Sequence, residues 1–369
     1  MRVSPSIVLI AALLVAPCIL PVQGGVLGDA DSPPHYTVTE MKELVDVRGF
    51  NNKGQAVGLM FPTPPSKSET QAFVWSKQGV QMLPTVPGAE SAIAVDINDK
   101  GDVVGWATMR DGKSQAVCWI RGKLKVIKSP VSYPYAYASH INSSGVILCT
   151  ASTDDSLHPI KPVRTVLFLY RDGKVTPLHL KDELIHQFKG INSKGVIVGT
   201  HQIKDDGPWR AVFWEGKELH FLMKTFGGKS SEGTGINDRG EIVGNADTPN
   251  GDAHGFIYSK GEMRDISALE GSGISVLNAI NNHGTAVGYA AHSRSDDKHE
   301  IAGFIGPPNI AILYYKSKVY RLDKLVPPGF GWSLVEGTHI NDKGQIVAGG
   351  IRGEDWHQFL LTPVVRESR

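Results

Sequence analysis

Seven times along this chain an asparagine is followed three residues later by a glycine, between two apolar runs. The copies are Phe50-Asn51-Asn52-Lys53-Gly54, Ile97-Asn98-Asp99-Lys100-Gly101, Ile141-Asn142-Ser143-Ser144-Gly145, Ile191-Asn192-Ser193-Lys194-Gly195, Ile236-Asn237-Asp238-Arg239-Gly240, Ile280-Asn281-Asn282-His283-Gly284 and Ile340-Asn341-Asp342-Lys343-Gly344. An asparagine side chain can cap such a turn, the polar middle pair suits type I dihedrals, and glycine supplies the positive φ that closes the hairpin through a bulge. One copy would say little. Seven, at spacings of 47, 44, 50, 45, 44 and 60 residues, form a repeat array.

Each repeat has a second half, seen as Gln71-Ala72-Phe73-Val74-Trp75, Gln115-Ala116-Val117-Cys118-Trp119, Arg210-Ala211-Val212-Phe213-Trp214 and His254-Gly255-Phe256-Ile257-Tyr258, each followed by a glycine turn. Alternating apolar residues around such a turn predict a second hairpin. Four short strands in about 45 residues are blade-like, and no 3.6-residue periodicity argues for helices. The expected fold is all-β: a seven-bladed β-propeller with four-stranded blades over residues 36–364. The long sixth spacing leaves a six-bladed ring as the alternative. The last repeat stops one strand short, while Tyr36-Thr37-Val38-Thr39-Glu40-Met41 reads as a strand without a repeat of its own. Residues 36–44 are therefore expected to complete the last blade and remove an open sheet edge.

Residues 1–24 pair a short basic start at Arg2 with an apolar Ile7–Ala16 stretch, the pattern of a secretory signal peptide. Residues 25–35 read as a linker and 365–369 as a tail. An extracytoplasmic location follows as an expectation, with no membrane span after cleavage. Cys118 and Cys149 lie in apolar strand-like runs and read as buried thiols, with a bridge between them the less favoured alternative. A net charge of +1 without a basic block disfavours nucleic-acid binding.

The paired pattern Ile-Asn-x-x-Gly-x-Val-Val-Gly and His/Gln-Ala-Phe-x-Trp-x-x-Gly resembles the extracellular HAF-repeat proteins of bacteria. Phe226-Gly227-Gly228 is similar to their Leu-Gly-Gly linker. Phe50 in place of Ile, Leu148-Cys149 in place of Val-Gly, and an insertion after Phe304 depart from that pattern. The resemblance implies secretion and a repeat fold, and carries no catalytic residues with it.

Tight turns serve a scaffold, whereas long variable loops on a rigid frame concentrate binding residues. The long connections, opposite the Asn turns, are thus the expected working face. They hold His201, Asp205, Trp209, Trp332, Arg352, Trp356 and His357. Rings stack on apolar sugar faces and acids accept sugar hydroxyls, so a glycan is one expected ligand and an extracellular protein the other. The same acids and rings also serve as turn formers and loop packing. A second signal is the residue before each Ile-Asn or Phe-Asn pair. It is small except at Asp96, His140 and His339, which are expected to approach one another near the axis, as a polar channel patch or as locally bonded groups. No motif points to a nucleotide or metal cofactor. The leading expectation is a monomeric, non-enzymatic binding module; the alternative is a carbohydrate-active hydrolase or lyase using loop carboxylates.

Overall fold

The structure, a computed structural model, describes residues 32–41, 45–61, 70–154, 164–178, 186–203, 207–267, 269, 272–292 and 309–364. The expected leader lies outside them. One compact unit, Pro33–Arg369, contains every described strand.

After β1 (Tyr36–Met41), each of the first six repeats contributes four strands. Repeat one has β2 (Val45–Phe50), β3 (Ala56–Met60), β4 (Gln71–Ser76) and β5 (Gly79–Met82). Repeat two has β6 (Ala89–Ile97), β7 (Val103–Met109), β8 (Ser114–Ile120) and β9 (Lys123–Val126). Repeat three has β10 (Tyr135–Ile141), β11 (Ile147–Ser152), β12 (Thr165–Arg171) and β13 (Lys174–Leu178). Repeat four has β14 (His186–Ile191), β15 (Ile197–Gln202), β16 (Trp209–Glu215) and β17 (Glu218–Phe221). Repeat five has β18 (Ser231–Ile236), β19 (Ile242–Asp247), β20 (Ala253–Ser259) and β21 (Glu262–Ile266). Repeat six has β22 (Ile274–Ile280), β23 (Ala286–Ala291), β24 (Ile310–Tyr315) and β25 (Lys318–Arg321). The last repeat supplies β26 (Ser333–Ile340), β27 (Ile346–Arg352) and β28 (Asp355–Pro363). These pair as five separate four-stranded sheets and one eight-stranded sheet. The eight-stranded sheet joins repeats two and three through a parallel bridge between Ser114 and Tyr135. As expected from the sequence, β1 completes the last sheet, running antiparallel to β28 from Tyr36 opposite Pro363 to Met41 opposite Gln358.

The Asn turns follow the anticipated chemistry. Gly54, Gly101, Gly145, Gly195, Gly240, Gly284 and Gly344 all adopt positive φ. In six of the seven turns the asparagine Oδ1 accepts backbone N–H groups from two and four residues ahead, as Asn98 does from Lys100 and Asp102. The same side chain has a second task that local turn chemistry does not predict. Its Nδ2 donates to the backbone oxygen of the next repeat's asparagine, at 2.9–3.3 Å, from Asn51 through Asn98, Asn142, Asn192, Asn237, Asn281 and Asn341. Asn341 then donates to Asn51, closing the circle. Each of these asparagines is buried, so an unmet amide would be costly.

A bulge recurs two residues before each Asn-turn isoleucine or phenylalanine, between Val47 and Gly49, Ala94 and Asp96, Ala138 and His140, Phe188 and Gly190, Gly233 and Gly235, Leu277 and Ala279, and Gly337 and His339. Just beyond it the first strand's carbonyl crowds the second. A Cβ on Gly58, Gly105, Gly199, Gly244 or Gly288 would lie 1.8–2.1 Å from that oxygen. This accounts for the glycine that ends the Val-Val run. The third strand then sets a large apolar side chain opposite, such as Phe73 against Gly58 and Phe256 against Gly244. Both phenylalanines are fully buried. Hydrophobic clusters bridge neighbouring repeats, so each sheet face is covered by the next sheet rather than by a helix. Cys118 and Cys149 are free, buried thiols. Burial pushes the Cys118 thiol up to about 11 and raises Cys149 further.

Candidate functional site

Three places hold the residues singled out from the sequence. The first is the innermost strands. Asp96 Oδ2 accepts Ile141 N–H at 2.8 Å, across the joint between repeats two and three. His140 Nε2 meets the Phe188 carbonyl at 3.2 Å, and His339 Nε2 meets that of Arg48 at 3.0 Å. A carbonyl can only accept, so each Nε2 carries a proton. Thr234 donates to Leu277 O at 2.5 Å and Asn278 to Gly337 O at 3.0 Å in the same manner. At the two remaining joints glycine takes over. A Cβ on Gly49 would lie 2.7 Å from Asp96 Cα, and one on Gly190 would sit in contact with Ile236. Asp96, His140 and His339 are therefore members of a lacing in which every joint has either a side-chain bond or a close backbone approach. Asp96 and His140 come within 3.8 Å of each other. Burial lowers the His339 imidazole's proton affinity, although the Arg48 carbonyl and the charge of Asp96 oppose it.

The second place is the end of the blades opposite the Asn turns. In the last repeat, Trp332, Arg352 and His357 come together, whereas Trp356, the neighbour of His357 in β28, projects from the other face of the sheet. The Arg352 guanidinium lies 4.4 Å above the Trp332 ring. The His357 ring stacks on the same indole at 4.6 Å and 29°. Phe359 closes edge-on at 5.2 Å. His357 Nδ1 is paired with Glu40, so β1 contributes to this group as well as to the sheet. Trp356 lies against Gly349, whose missing Cβ makes the room, and remains 50% exposed. The cluster exists because β26, β27 and β28 end side by side, with Ile351 opposite Trp356 and Arg352 opposite Asp355.

The third place is the same end of repeat four. His201 is almost fully buried, edge-on to Phe221 at 5.2 Å. Trp209 is half-buried, and its neighbour Arg210 donates to Trp209 O at 2.9 Å and also to Lys229 O. His201 and Trp209 belong to a different sheet from the Trp332 group, so the structure does not merge them into one site. Asp205 lies outside the described residues.

One constellation escaped sequence reasoning. Residues after the Asn-turn asparagines form a second ring around a polar axial mouth of about 280 Å³. Asp99 receives the Asn52 backbone N–H and side-chain amide, while Asp342 and Asp238 share the Asn282 amide. The recurrence of Asp and Asn at five of these seven positions, with Ser143 and Ser193 at the other two, was a visible signal, but only ring closure makes them neighbours. Among the described residues no group of three or more His, Cys, Asp or Glu side chains is arranged to hold a metal ion. No described helix is long and apolar enough to cross a membrane.

No protein-family model matches the chain, and no curated protein sequence matches it. Solved structures do. The β-propeller domain of the trilobed protease from Pyrococcus furiosus aligns with TM-score 0.53 at 9% identity, over 76% of this chain and 81% of that one. An oligogalacturonate lyase in complex with manganese gives 0.54 at 10% identity, over 90% and 97%. The Pyrococcus horikoshii acylaminoacyl peptidase gives 0.53 at 11% identity, over 84% of this chain but only 49% of that one. The protease domain has an open velcro topology, whereas here β1 and β28 pair. At such identities the likeness is one of fold: this chain is an all-β propeller with four-stranded blades, its last sheet completed by the N-terminal strand.

Proposed function

We propose that this protein is an exported, seven-bladed propeller that binds a glycan through the aromatic and cationic platform on its last repeat. The seven-blade count treats the eight-stranded sheet as two blades held by one bridge, in keeping with the unbroken circle of seven Asn turns. Export is supported by the leader-like residues 1–24, and kinship with HAF-repeat proteins by the paired motifs.

The observation that carries the binding reading is the half-exposed Trp356 indole seated on Gly349, at a hairpin end whose other face carries Arg352 fixed on the Trp332 ring. A rigid indole offers a flat apolar face for a sugar ring, and a preorganised guanidinium offers fixed donors for its hydroxyls or acids. Glycan-array binding by the full chain, followed by titration of a hit against Trp356→Ala, tests it. Binding weakened about tenfold with an unchanged melting temperature is expected. Binding that survives both Trp356→Ala and Arg352→Ala would overturn the reading.

A second reading, a carbohydrate-active enzyme, draws on the Glu40–His357 pair next to the Trp332 indole. A carboxylate and an imidazole in contact can move a proton during sugar cleavage. Product analysis of the array hits separates the two, because an enzyme shortens its ligand and a binding module does not.

A further inference from the structure

A second cavity is not on the long-connection end. A cleft of about 530 Å³ opens on the Asn-turn end, over repeat six and between repeats five and seven. Its floor is the β24–β25 turn, its sides are the Asn turns of repeats five, six and seven, and Pro34 and Pro363 border it. The size is that of a small-molecule site rather than a gap for one ion.

Among the described residues its lining holds more cations than carboxylates. Arg239, Arg264, Lys316 and Lys343 line it, against the two carboxylates Glu241 and Asp342. Glu241 is held by Arg239 and by the Asn237 amide. Asp342 is held by Asn282 N–H and by the Asn52 and Asn282 amides. Arg264 bonds the Tyr314 hydroxyl and lies over that ring, which orients the guanidinium without neutralising it. Lys316 sits over the Tyr315 ring at 5.6 Å. Gly284 clears the path by which Arg239 reaches across, since a Cβ there would lie 2.7 Å from Nη2.

The cleft floor is also strained. The corresponding two-residue turns in repeats two, three and five are Arg121-Gly122, Asp172-Gly173 and Lys260-Gly261, each with glycine second and both residues at positive φ. Repeat six has Lys316-Ser317, at φ 46° and 65°. A serine held where glycine serves elsewhere is a backbone cost that scaffold duty alone does not require.

We propose that this cleft binds an acidic saccharide. Its carboxylate or sulfate groups lie against Arg264, Lys316 and Lys343, and its hydroxyls reach Ser317. The aromatic floor and the volume favour a sugar over a bare anion, and the excess of cations favours an acidic sugar over a neutral one. The site is separate from the Trp356 platform.

Calorimetry on the full chain tests this with three probes: an oligogalacturonate, a heparin oligosaccharide and a neutral xylo-oligosaccharide. One of the two acidic probes is expected to bind at low salt and to weaken at least tenfold on raising the salt; the neutral probe is not expected to bind. Lys343→Gln combined with Lys316→Gln should weaken binding at least tenfold without changing the melting temperature, because both side chains are exposed. Ser317→Gly should raise the melting temperature by relieving strain yet weaken binding severalfold. Trp356→Ala should leave this binding intact, which distinguishes it from the platform. The proposal is overturned if neither acidic probe binds, if the double variant binds as well as the parent, or if inorganic sulfate binds as tightly as the saccharide.

Discussion

At the Asn-turn end of the blades, seven asparagines repeat the same hydrogen-bonding role and are stitched to one another around the ring. At the opposite end, repeat seven builds a stack from Trp332, Arg352 and His357, while repeat four buries His201 against Phe221. Both ends are made by hairpins of the same sheets, so the contrast does not come from the fold class. It comes from burial. The Asn-turn end brings backbone groups of adjacent repeats together in a dry setting, where each donor and acceptor must be met and one solution is repeated. At the other end side chains such as Arg352 and Trp356 are exposed, so they are free to differ from repeat to repeat.

The contrast is most directly broken by Asn192→Ala. The change strands the Lys194 and Val196 N–H groups and removes the donor to Asn237 O. A loss of about 4 kcal/mol is expected from several buried unmet groups, read by chemical denaturation. A loss below about 1 kcal/mol would mean that the circle is dispensable. Next in size is Gly105→Ala, whose Cβ would fall 1.9 Å from the Ile93 carbonyl oxygen. About 3 kcal/mol of destabilisation is expected, since backbone rather than a side chain must yield.

The loop end should answer differently. Arg352→Ala is expected to cost less than about 1 kcal/mol in stability, because its main partner is an exposed ring stack. Trp356→Ala should cost little stability yet lower glycan affinity by about tenfold, roughly 1.4 kcal/mol. If both variants unfold the protein as Asn192→Ala does, the division of labour between the ends is mistaken.

The smallest effect concerns His339. Burial holds its imidazole below the ordinary value of 6.5. The unfolded chain then takes up a proton that the folded one resists, so this residue's contribution is complete above about pH 6.5 and declines as the pH falls from there toward the folded pKa. His339→Gln, which keeps a donor for Arg48 O, should flatten the acid limb of the stability profile. An acid limb identical to the parent's would show that His339 is not held neutral.

Much of this was legible in the residues. Asn98, Gly101 and Gly105 declare a turn and its exit, because capping, positive φ and close backbone approach act within a few residues. The unpaired Tyr36–Met41 strand likewise pointed to its place beside β28, because a sheet edge left open is costly. Asp96, His140 and His339 stood out as exceptions, but their role in lacing neighbouring repeats depends on which carbonyl the next inner strand presents. The HAF-like motifs carried no site residues with them.

Local chemistry thus determined the turn, the four-strand repeat and the strand that completes the last sheet, since each depends on contacts within a few residues or on a simple count of edges. Tertiary structure alone decided that Asn341 reaches Asn51, that Arg352 lies on Trp332, and that Arg239, Arg264 and Lys343 share one cleft. Those partners come from different strands or different repeats, and only strand pairing within the last sheet and the meeting of one sheet with the next bring them within reach.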